Sequence, residues 1–358
     1  MRATEGIHSA AGVFGDGALL NVNAMRPFMD DDGQPKVVSN GQKLKTNAPA
    51  LLRYDEWKDI DRNVHAVATQ RLVGIADLIS KGLTHPLGSI GVTIALWQRS
   101  SDMTPANVDM SGVTEGEEDR PAFDTQQVPV PIVHKDFRVN LRNLEASRRM
   151  GQGVDLVASD IAARVVAEKS EDMLFDGAPI VVEGSSIVGY RTHPDRNTVG
   201  PVESWNGSPA QVPGSQIVAN VQAMLQAART DNMHGPFILY IPTKYEGRMS
   251  DDYNPGTSDT RTIRERIMAL GQISEIKVAD RLAPGATQTV ADHSVLLVQM
   301  TRDVVDLAIA QDVTTVSWQM YGGMQERFKV MACWVPRIKS DFDGRSGIVH
   351  LDTSTTPA

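Results

Sequence analysis

The sequence predicts an α+β fold, and three patterns support that prediction. Residues 54–81 and 143–176 place apolar side chains every three or four positions, which is the spacing of a long amphipathic helix. Residues 213–322 mix short helix and strand patterns, and residues 326–351 alternate apolar and polar side chains as a strand does. Long helices combined with such mixed short elements are typical of the α+β class.

The composition limits the size, charge and chemistry of the protein. Its 358 residues, 41% of them hydrophobic, fit one large domain or two closely linked ones. A net charge of −9 argues against a basic surface that grips nucleic acid, but it allows a protein that lies next to DNA. Cys333 is the only cysteine, which rules out a disulfide framework within the chain and a zinc site built on thiolates.

The sequence shows no targeting or membrane segment. The chain starts at Met1 without the charged and apolar pattern of a signal peptide. Its longest apolar runs are far too short to span a bilayer. We therefore expect a soluble, intracellular protein.

Residues 1–53 have the composition of an extended N-terminal arm. They are rich in Gly, Asn and Asp, and their scattered hydrophobic residues follow no sustained period. Such a segment alone cannot offset the entropy that it loses on ordering. We therefore expect a neighbouring subunit to hold the arm in place.

Residues 54–84 are predicted to form the first long helix and its end. Asp55, Glu56 and Asp59 lie in its first turns, where the helix dipole favours negative charge. Gly82 marks its C-terminus. The predicted buried stripe consists of Trp57, Ile60, Val64, Ala68, Leu72, Ile75 and Ile79.

Residues 85–137 are predicted to form an extended loop, a β-hairpin with a long polar connection. The connection, residues 99–127, spans 29 residues with almost no core-forming pattern and seven acidic side chains. Connections of this length are normally functional or disordered, and a two-stranded arm is marginally stable in isolation. Since Pro129 and Pro131 cannot donate to a ladder, the second strand belongs at an edge or beyond the compact body.

The two strands of this hairpin, within residues 89–98 and 128–139, supply the candidate site. Alternation puts the apolar side chains of the first strand on one face, which we expect to be half buried, and it puts those of the second strand on one face of that strand. Because the hairpin needs a surface to lie on, we predict that these apolar side chains contact a neighbouring subunit; the alternative is a flexible surface hairpin. The candidate subunit-interaction residues are Ile90, Val92, Ile94, Leu96, Val128, Val130 and Ile132.

Residues 138–212 contain the second long helix, 143–176, and a stretch rich in Gly and Pro. Gly151 and Gly153 each lower helix propensity by about 1 kcal/mol relative to Ala, so we expect a kink or a later helix start there. Gly177 stops the helix. The predicted apolar stripe consists of Leu144, Met150, Val154, Val157, Ile161, Val165 and Met173.

Residues 213–322 are predicted to form a compact α+β subdomain. Ser215 can cap its first helix, and Phe237–Ile241 has the pattern of a buried strand. Thr262 and Glu265 match a capping box that opens another helix. Further strand patterns lie at 273–278, 295–300, 304–310 and 314–318, and residues 323–358 add strands around a turn at 341–344.

The motifs of common catalytic and binding sites are absent or incomplete. No Gly-Lys dipeptide is present, so the chain has no Walker A loop for phosphates. The turn at 341–344 (DFDG) resembles part of a calcium loop, but Lys339 and His350 occupy positions that need oxygen ligands. The eight histidines are dispersed, with none at the helical spacing that metal ligation uses. We therefore expect no catalytic residue, no metal, no cofactor and no enzymatic function.

Three stretches resemble a known family. Residues 54–61 (YDEWKDID) with the following helix resemble the opening helix of encapsulins. Residues 131–138 (PIVHKDFR), leading into 143–177, resemble the return strand of an extended loop and then a spine helix. Residues 334–350 resemble the C-terminal ending of encapsulin-like capsid proteins. In element order, residues 54–351 thus resemble the capsid fold of the Hong Kong ninety-seven phage type, which tailed-phage capsid proteins and encapsulin nanocompartments share.

The resemblance implies an assignment of each segment to a part of that fold. The segments are an N-terminal arm (1–53), a peripheral-domain helix (54–84), an extended loop (85–137), a spine helix with peripheral domain (138–212), an axial domain (213–322), and peripheral-domain strands with a C-terminal tail (323–358).

The resemblance further implies a major capsid protein that self-assembles into an icosahedral shell around the double-stranded DNA of a tailed bacteriophage. Its partners would be copies of itself in pentamers and hexamers, together with portal, scaffold or decoration proteins. Packaged DNA would lie next to it without specific binding, and no membrane would be involved. Such a protein assembles in the cytoplasm of the bacterial host and resides in the virion.

Two other functions remain open on the sequence. Encapsulin shells, which package cargo enzymes, share the fold, but they begin close to their first helix, and the long segment before Tyr54 therefore favours a virion capsid. Native particles with protein cargo and without genomic DNA would identify an encapsulin. A more remote alternative is an α+β enzyme with an unrecognised site, which a soluble monomer that turns over a metabolite would establish.

Overall fold

The computed structural model describes residues 28–30, 34–39, 42–45, 52–106, 108, 110, 118–149, 157–206, 212–254, 261–283 and 293–353. They contain both helices and strands, as the sequence predicts for an α+β protein. In chain order the elements are β1 (Phe28–Met29), β2 (Pro35–Ser39), β3 (Gln42–Lys45), α1 (Tyr54–Arg71), α2 (Gly74–Ser80), β4 (Thr84–Pro86), β5 (Ile94–Ser100), β6 (Phe123–Pro129), β7 (Val133–Asn140), α3 (Leu141–Arg149), α4 (Val157–Asp176), β8 (Ala178–Val182), β9 (Ser185–Ile187), β10 (Asn197–Val199), α5 (Gly214–Thr230), β11 (Phe237–Ile241), α6 (Glu246–Met249), α7 (Ile263–Met268), β12 (Ile273–Val278), β13 (Ser294–Gln299), β14 (Val305–Met320), β15 (Gln325–Ile338) and β16 (Ile348–Asp352). None of the helices in these described ranges is both long and apolar enough to cross a lipid bilayer.

The chain divides into two compact units. Unit 1 is drawn from residues 1–93, 130–174 and 307–335, and unit 2 from residues 94–129, 175–306 and 336–358. The segment boundaries that the sequence suggests differ from this division: residues 213–322, for example, contribute to both units. The assignment of the segments to peripheral and axial positions in a shell therefore stays a prediction.

Unit 1 is built on a four-stranded sheet in the order β4-β14-β15-β7. β15 and β7 are antiparallel, with Phe328 opposite Phe137, and the two rings stack at a centroid distance of 4.8 Å. Trp57 of α1 meets the Phe328 ring edge-on at 5.6 Å, so the predicted apolar stripe of α1 begins against the sheet. Cys333 lies on β15 and is 1% exposed.

The first predicted helix, residues 54–81, is two helices in the structure. α1 and α2 are separated by Leu72, whose backbone is extended (φ −86°, ψ 105°). Glu171 of α4 accepts hydrogen bonds from the backbone amides of residues 73–75, that of Ile75 at 3.1 Å. Amides at a helix start have no partner within the helix, so Glu171 satisfies the start of α2 and stabilises the break.

The buried face of α4 is not the one that the sequence predicts. Leu144 on α3 and Met173 on α4 are buried, but Val157, Ile161 and Val165 are 60%, 46% and 37% exposed. α4 instead buries mostly small side chains: Ala162, Ala163, Val166, Ala167 and Ser170. Because apolar residues lie on both sides of the helix, their period alone does not tell which side is inside.

Two predictions fall partly outside the described residues. Residues 150–156, which include Met150 and Val154 of the predicted stripe, lie outside them, between α3 and α4. Most of the predicted arm also lies outside them. Its described strands form the antiparallel sheet β1-β2-β3, in which Phe28 is 2% exposed. This part of the arm packs against its own chain, and support of the arm by a neighbouring subunit stays a prediction.

Unit 2 is built on a five-stranded mixed sheet in the order β10-β16-β13-β11-β12. One face packs against α5 and α7 in a hydrophobic core that includes Ile217 and Leu239. On the other face, the rings of Phe175 and Tyr190 contact the Tyr240 ring at 5.6 and 6.5 Å. The sheet is therefore covered on both faces within unit 2.

The local signals of the C-terminal half are confirmed in part. The capping box is present: Thr262 Oγ1 accepts from the Glu265 N–H at 3.3 Å, and Glu265 Oε2 accepts from the Thr262 N–H at 3.0 Å. Ser215 lies inside α5 and does not cap it. The strands predicted at 304–310 and 314–318 are one continuous strand, β14.

Candidate assembly surface

β5 and β6 of unit 2 form the antiparallel hairpin that the sequence predicts. Ser100 pairs with Phe123 at its far end, and the Ser101 N–H extends the ladder to the carbonyl of Ala122 at 2.9 Å. Both are edge strands of a two-stranded sheet, as the missing donor of Pro129 requires of β6. Residues 107, 109 and 111–117 of the connection lie outside the described residues.

The candidate residues on the first strand do not form one half-buried face. Ile90 and Val92 precede β5, because the Ser89 hydroxyl accepts a hydrogen bond from the Gly91 N–H at 3.1 Å and forms a turn there. β5 begins at Ile94. The predicted strand therefore starts later than the alternation of the sequence suggests.

The two faces of the hairpin differ in burial. Ala95 and its cross-strand partner Val128 are 1% and 4% exposed and form the inner face, which packs within unit 2. Leu96 and Phe123 lie on the opposite, outer face and are 57% and 69% exposed. The candidates Leu96 and Val128 thus lie on opposite faces of the hairpin, and at Leu96 the face predicted to be half buried is mostly exposed.

Val130 and Ile132 follow the hairpin and belong to unit 1. The strand predicted over residues 128–139 is two strands, since β6 ends at Pro129 and β7 begins four residues later. Pro129 and Pro131 lack the donors that one continuous ladder needs. Ile132 is 48% exposed. Contact of the seven candidate residues with a neighbouring subunit stays a prediction.

The connection between the strands exposes further large apolar side chains. Met103 is 58% exposed, and Val108 and Met110 are fully exposed. Within the connection, the Thr104 N–H donates to the Asp119 carboxylate at 2.8 Å. Since exposed apolar patches often mark interaction sites, these side chains make the connection a candidate contact surface.

Arg337 of β15 anchors the base of the hairpin. Its guanidinium makes a bidentate pair with Asp306, Nε to Oδ1 and Nη2 to Oδ2, both at 2.6 Å. Nη1 donates to the Leu96 carbonyl at 3.2 Å, and the guanidinium carbon lies 6.0 Å from the centre of the Trp97 ring. Lys339 Nζ also donates to Asp306, at 2.8 Å.

The pair of Asp306 and Arg337 is buried, with each residue 4% exposed. Burial alone would raise the pKa of Asp306, but hydrogen bonds from Arg337 and Lys339 outweigh burial and lower it. Asp306 is therefore a buried carboxylate compensated by two cations. Loss of one cation would leave buried charge that the remaining partner compensates only in part.

Arg99 continues these contacts along β5. It pairs with its cross-strand neighbour Asp124, Nε to Oδ2 at 2.9 Å. Its Nη1 donates to the Asp341 carbonyl at 3.4 Å, and its guanidinium lies 5.7 Å from the centre of the Phe342 ring. The pKa of Asp124 is lowered, first by the hydrogen bond from Arg99.

Arg345 makes the outermost contact, from Nη1 to Asp102 Oδ2 at 3.4 Å. The C-terminal segment 337–345 thus follows the first strand of the hairpin. We call Arg99, Arg337 and Arg345 the arginine latch. The sequence offered no direct signal for it, because its partners lie far apart in the chain; Arg99 and Asp341 are 242 positions apart.

The hairpin β8–β9 lies beside β6 in unit 2. Gln127 Nε2 donates to the Glu183 carbonyl, in the turn between β8 and β9, at 3.3 Å. β8 exposes Ile180, Val181 and Val182 by 40%, 66% and 37%. These side chains add to the exposed apolar surface of unit 2.

A metal site needs several side chains that could bind the ion together. In the described part of the chain, no group of three or more His, Cys, Asp or Glu side chains could hold a metal ion. The turn at 341–344 closes on itself: the Arg345 N–H donates to Asp341 Oδ1 at 2.7 Å, and the Asp341 N–H donates to the Arg345 carbonyl at 3.0 Å. Lys339 is engaged with Asp306, and His350 lies inside the five-stranded sheet.

Two solved structures show the fold to which this arrangement belongs. The virus-like particle from Pyrococcus furiosus matches with a TM-score of 0.56 and 16% identity, covering 83% of this chain and 98% of that chain. The capsid of Myoviridae phage XM1 matches with a TM-score of 0.58 and 10% identity, covering 78% of this chain and 91% of that chain. The fold is the capsid fold of the Hong Kong ninety-seven phage type, which confirms the predicted fold class.

The sequence is also similar to a protein of known role. The type 1 encapsulin shell protein EncA of Myxococcus xanthus (strain DK1622) is 26% identical over 298 residues, which cover 80% of this chain and 90% of that protein. The resemblance to encapsulin-like capsid proteins is therefore confirmed. The family described as "Family of unknown function (DUF6260)" matches residues 47–351, and the chain belongs to that family.

Proposed function

We propose that this chain is a shell subunit that assembles with copies of itself into a closed container, the capsid of a tailed phage around its double-stranded DNA. The observation that carries the proposal is the β5–β6 hairpin. It is fastened to its own unit on one face and exposes large apolar side chains on the other face and in the connection: Leu96, Met103, Val108, Met110 and Phe123. A sister copy would complete their burial.

The energetics favour assembly through such an element. Obligate interfaces often bury about 2,000 Å² or more, on the order of 50 kcal/mol of gross transfer free energy at about 25 cal/mol/Å², before entropic costs. A projecting hairpin that contacts a different surface on the next copy makes a head-to-tail contact. Such contacts close into rings, as pentamers and hexamers of a shell require.

The phage capsid is favoured by the segment that precedes α1. The family match begins at residue 47, so the first 46 residues extend beyond it. The resemblance to encapsulins implies subunits that begin close to their first helix, without such a segment. The net charge of −9 suits a wall beside packed DNA, because it repels phosphates and leaves the DNA mobile. In this proposal the subunit assembles in the bacterial cytoplasm, resides in the virion, and meets portal, scaffold or decoration proteins.

An encapsulin shell is the second candidate. The similarity to EncA over 80% of this chain favours it. The two candidates share the shell and differ in its content. Particles purified from the native host would hold nuclease-protected double-stranded DNA in a phage capsid, and cargo protein without DNA in an encapsulin.

Assembly itself is tested on the purified chain. We expect megadalton particles by size-exclusion chromatography with light scattering, and closed shells by negative-stain microscopy. The double variant Leu96→Ser/Phe123→Ser should lower the particle yield at least about tenfold, while its unfolding free energy changes by only about 0.5 kcal/mol, because both side chains are exposed in the monomer.

The matched control is Met268→Ser, which removes a 38% exposed apolar side chain of α7 and should leave the yield unchanged. A stable 38.9-kDa monomer at high concentration of the unmodified chain would contradict the proposal. Normal yield from the double variant would refute the role of the hairpin.

A further inference from the structure

We propose that the arginine latch fixes the direction in which the β5–β6 hairpin projects, and that this direction sets the size of the shell. The inference rests on the proposed function, because the hairpin is the element that would reach a sister copy. It assigns a positioning role to Arg99, Arg337 and Arg345. None of the three needs to touch the neighbouring subunit.

The latch holds the first strand at three successive points. Arg337 contacts Leu96 and Trp97, Arg99 lies two to three residues further on, and Arg345 reaches Asp102. From residue 96 to residue 102 an extended chain covers about 20 Å, at about 3.3 Å per residue. A strand that is held at one point can pivot, whereas contacts spread over this length fix its direction.

The three contacts become more exposed from the base outwards. The Arg337 side chain is 5% exposed, that of Arg99 is 25% exposed, and those of Arg345 and Asp102 are 37% and 79% exposed. Exposed ion pairs are weak one by one and are screened by salt, whereas a buried bidentate pair is hardly screened. The contact of Arg337 therefore holds the base of the hairpin firmly, whereas the contacts of Arg99 and Arg345 hold its outer part less strongly.

The outer contacts of the latch involve one short C-terminal segment, residues 341–345. Arg99 bonds to the backbone of Asp341 and stacks on Phe342, and the Arg345 N–H closes the turn on the Asp341 carboxylate. Gly344 has φ +79°, a conformation that a side chain disfavours, which keeps this turn tight. The turn therefore presents Asp341, Phe342 and Arg345 to β5 as one preformed surface.

Hairpin direction matters for shell size because the contacts between copies are head-to-tail. In such an assembly, the angle between one subunit and the next decides how many copies close a ring and how strongly the wall curves. A hairpin that projects at a variable angle would allow several angles. Loss of the outer latch contacts should therefore broaden the distribution of shell diameters without preventing assembly.

The test compares two double variants of the full-length chain. Arg99→Gln/Arg345→Gln removes the outer latch contacts, and Arg229→Gln/Arg264→Gln removes the same charge from exposed positions on α5 and α7 of unit 2. Arg337 stays in place, so that Asp306 keeps its partner and the subunit folds. Particle diameters are measured by cryo-electron microscopy, and hydrogen exchange is followed on peptides of the hairpin and of β11.

We expect the latch variant to form particles whose diameters spread over two or more size classes, while the control variant keeps the single class of the unmodified chain. Hairpin amides of the latch variant should exchange about tenfold faster, the effect of losing roughly one or two hydrogen bonds, with β11 unchanged. Raising the salt to about 1 M should shift the unmodified chain in the same direction, since the Debye length falls to about 3 Å.

The outcomes separate the two proposals. Identical diameters of latch and control variants would overturn the latch inference and leave the shell function intact. Unchanged hairpin exchange in the latch variant would overturn it as well. Failure of the unmodified chain to form any particle would overturn the shell function, and the inference about size with it.

Discussion

The two units bury their titratable side chains in opposite ways. Unit 1 sets carboxyls among backbone amides, hydroxyls and other acids: burial raises the pKa of Glu171 to about 8 and that of Asp312 to about 6, and it also raises that of Glu326. Unit 2 pairs Asp306 with two cations, which lower its pKa, and keeps His350 neutral. Burial and then Arg196 lower the pKa of His350 to about 4.

The sign of the pH response follows from these shifts. As the pH rises from the ordinary value of 4.5 towards 8, unfolded Glu171 gives up a proton that the folded unit keeps, so unit 1 loses stability. As the pH falls from 6.5 towards 4, unfolded His350 takes up a proton that the folded unit excludes, so unit 2 loses stability. Burial also lowers the pKa of His65, half buried in unit 1, so protonation of this side chain in the unfolded chain weakens unit 1 in acid in the same way.

The lowered pKa of Asp306 also favours unit 2 at neutral pH. Its ionised form stabilises the folded unit above its ordinary value of 3.8, and this contribution is lost as the pH falls through the folded pKa. We therefore expect alkaline solution to weaken unit 1 first and acidic solution to weaken unit 2 first. Three substitutions test it, in order of decreasing effect.

The largest effect is expected from Arg337→Met. This variant would leave unit 2, like unit 1, with a buried carboxyl that cations do not fully compensate. Asp306 would stay buried with Lys339 as its remaining cation, at a cost of about 3–5 kcal/mol of unfolding free energy. Urea unfolding at pH 7 measures the loss, and hydrogen exchange should place it in unit 2. Arg337→Met/Asp306→Leu should recover most of it, because the buried carboxylate is gone and Lys339, whose side chain is 20% exposed, still donates to the Arg302 carbonyl. A double variant as unstable as the single one would contradict the role assigned to the Asp306 charge.

A smaller effect, of opposite sign, is expected from Glu171→Gln. The amide carbonyl still accepts from the amides that start α2, but it carries no proton to lose, so the variant should be roughly 3 kcal/mol more stable than the unmodified chain at pH 8. At pH 5 the two should be nearly equal. Thermal unfolding from pH 5 to 9 measures this, and Glu168→Gln, on the same helix, serves as the control; parallel pH profiles for all three chains would contradict the assignment.

The smallest effect is expected from His350→Gln. This variant does not titrate, so at pH 5 it should escape about 2 kcal/mol of the acid destabilisation that a folded pKa near 4 imposes. Chemical unfolding at pH 5 and 7 measures the difference, with exposed His234→Gln as the matched control. An acid limb that is unchanged in His350→Gln would show that other groups destabilise unit 2.

The parts of the fold that the sequence predicted correctly depend on neighbours in the chain. The capping box of Thr262 and Glu265 spans three residues, and the all-buried run Phe237–Ile241 is bounded by Pro242. The order of helices, hairpin and strands supported the fold class in the same way. Such signals need no knowledge of what packs on them.

The wrong or missing predictions concern which face of a helix or strand is buried, and which residues far apart in the chain contact each other. The stripe of Val157, Ile161 and Val165 was predicted to be buried, but the small residues on the other side of α4 allow the closer approach and are inside. Alternation found β5 but could not tell that Ala95 faces the body and Leu96 faces solvent. Likewise, no local pattern connects Arg337 with Asp306 or Leu96, because those contacts exist only after the chain has folded.

Cys333 gives the unmodified chain a chemical probe of its own. The thiol is buried on β15 in unit 1, and burial raises its pKa, so alkylating reagents meet a shielded and protonated sulfur. Its labelling rate therefore measures how often that strand opens. Since the chain has no other cysteine, unit 2 is silent to such reagents, and one mass spectrum per time point reads out the opening of a single half of the molecule.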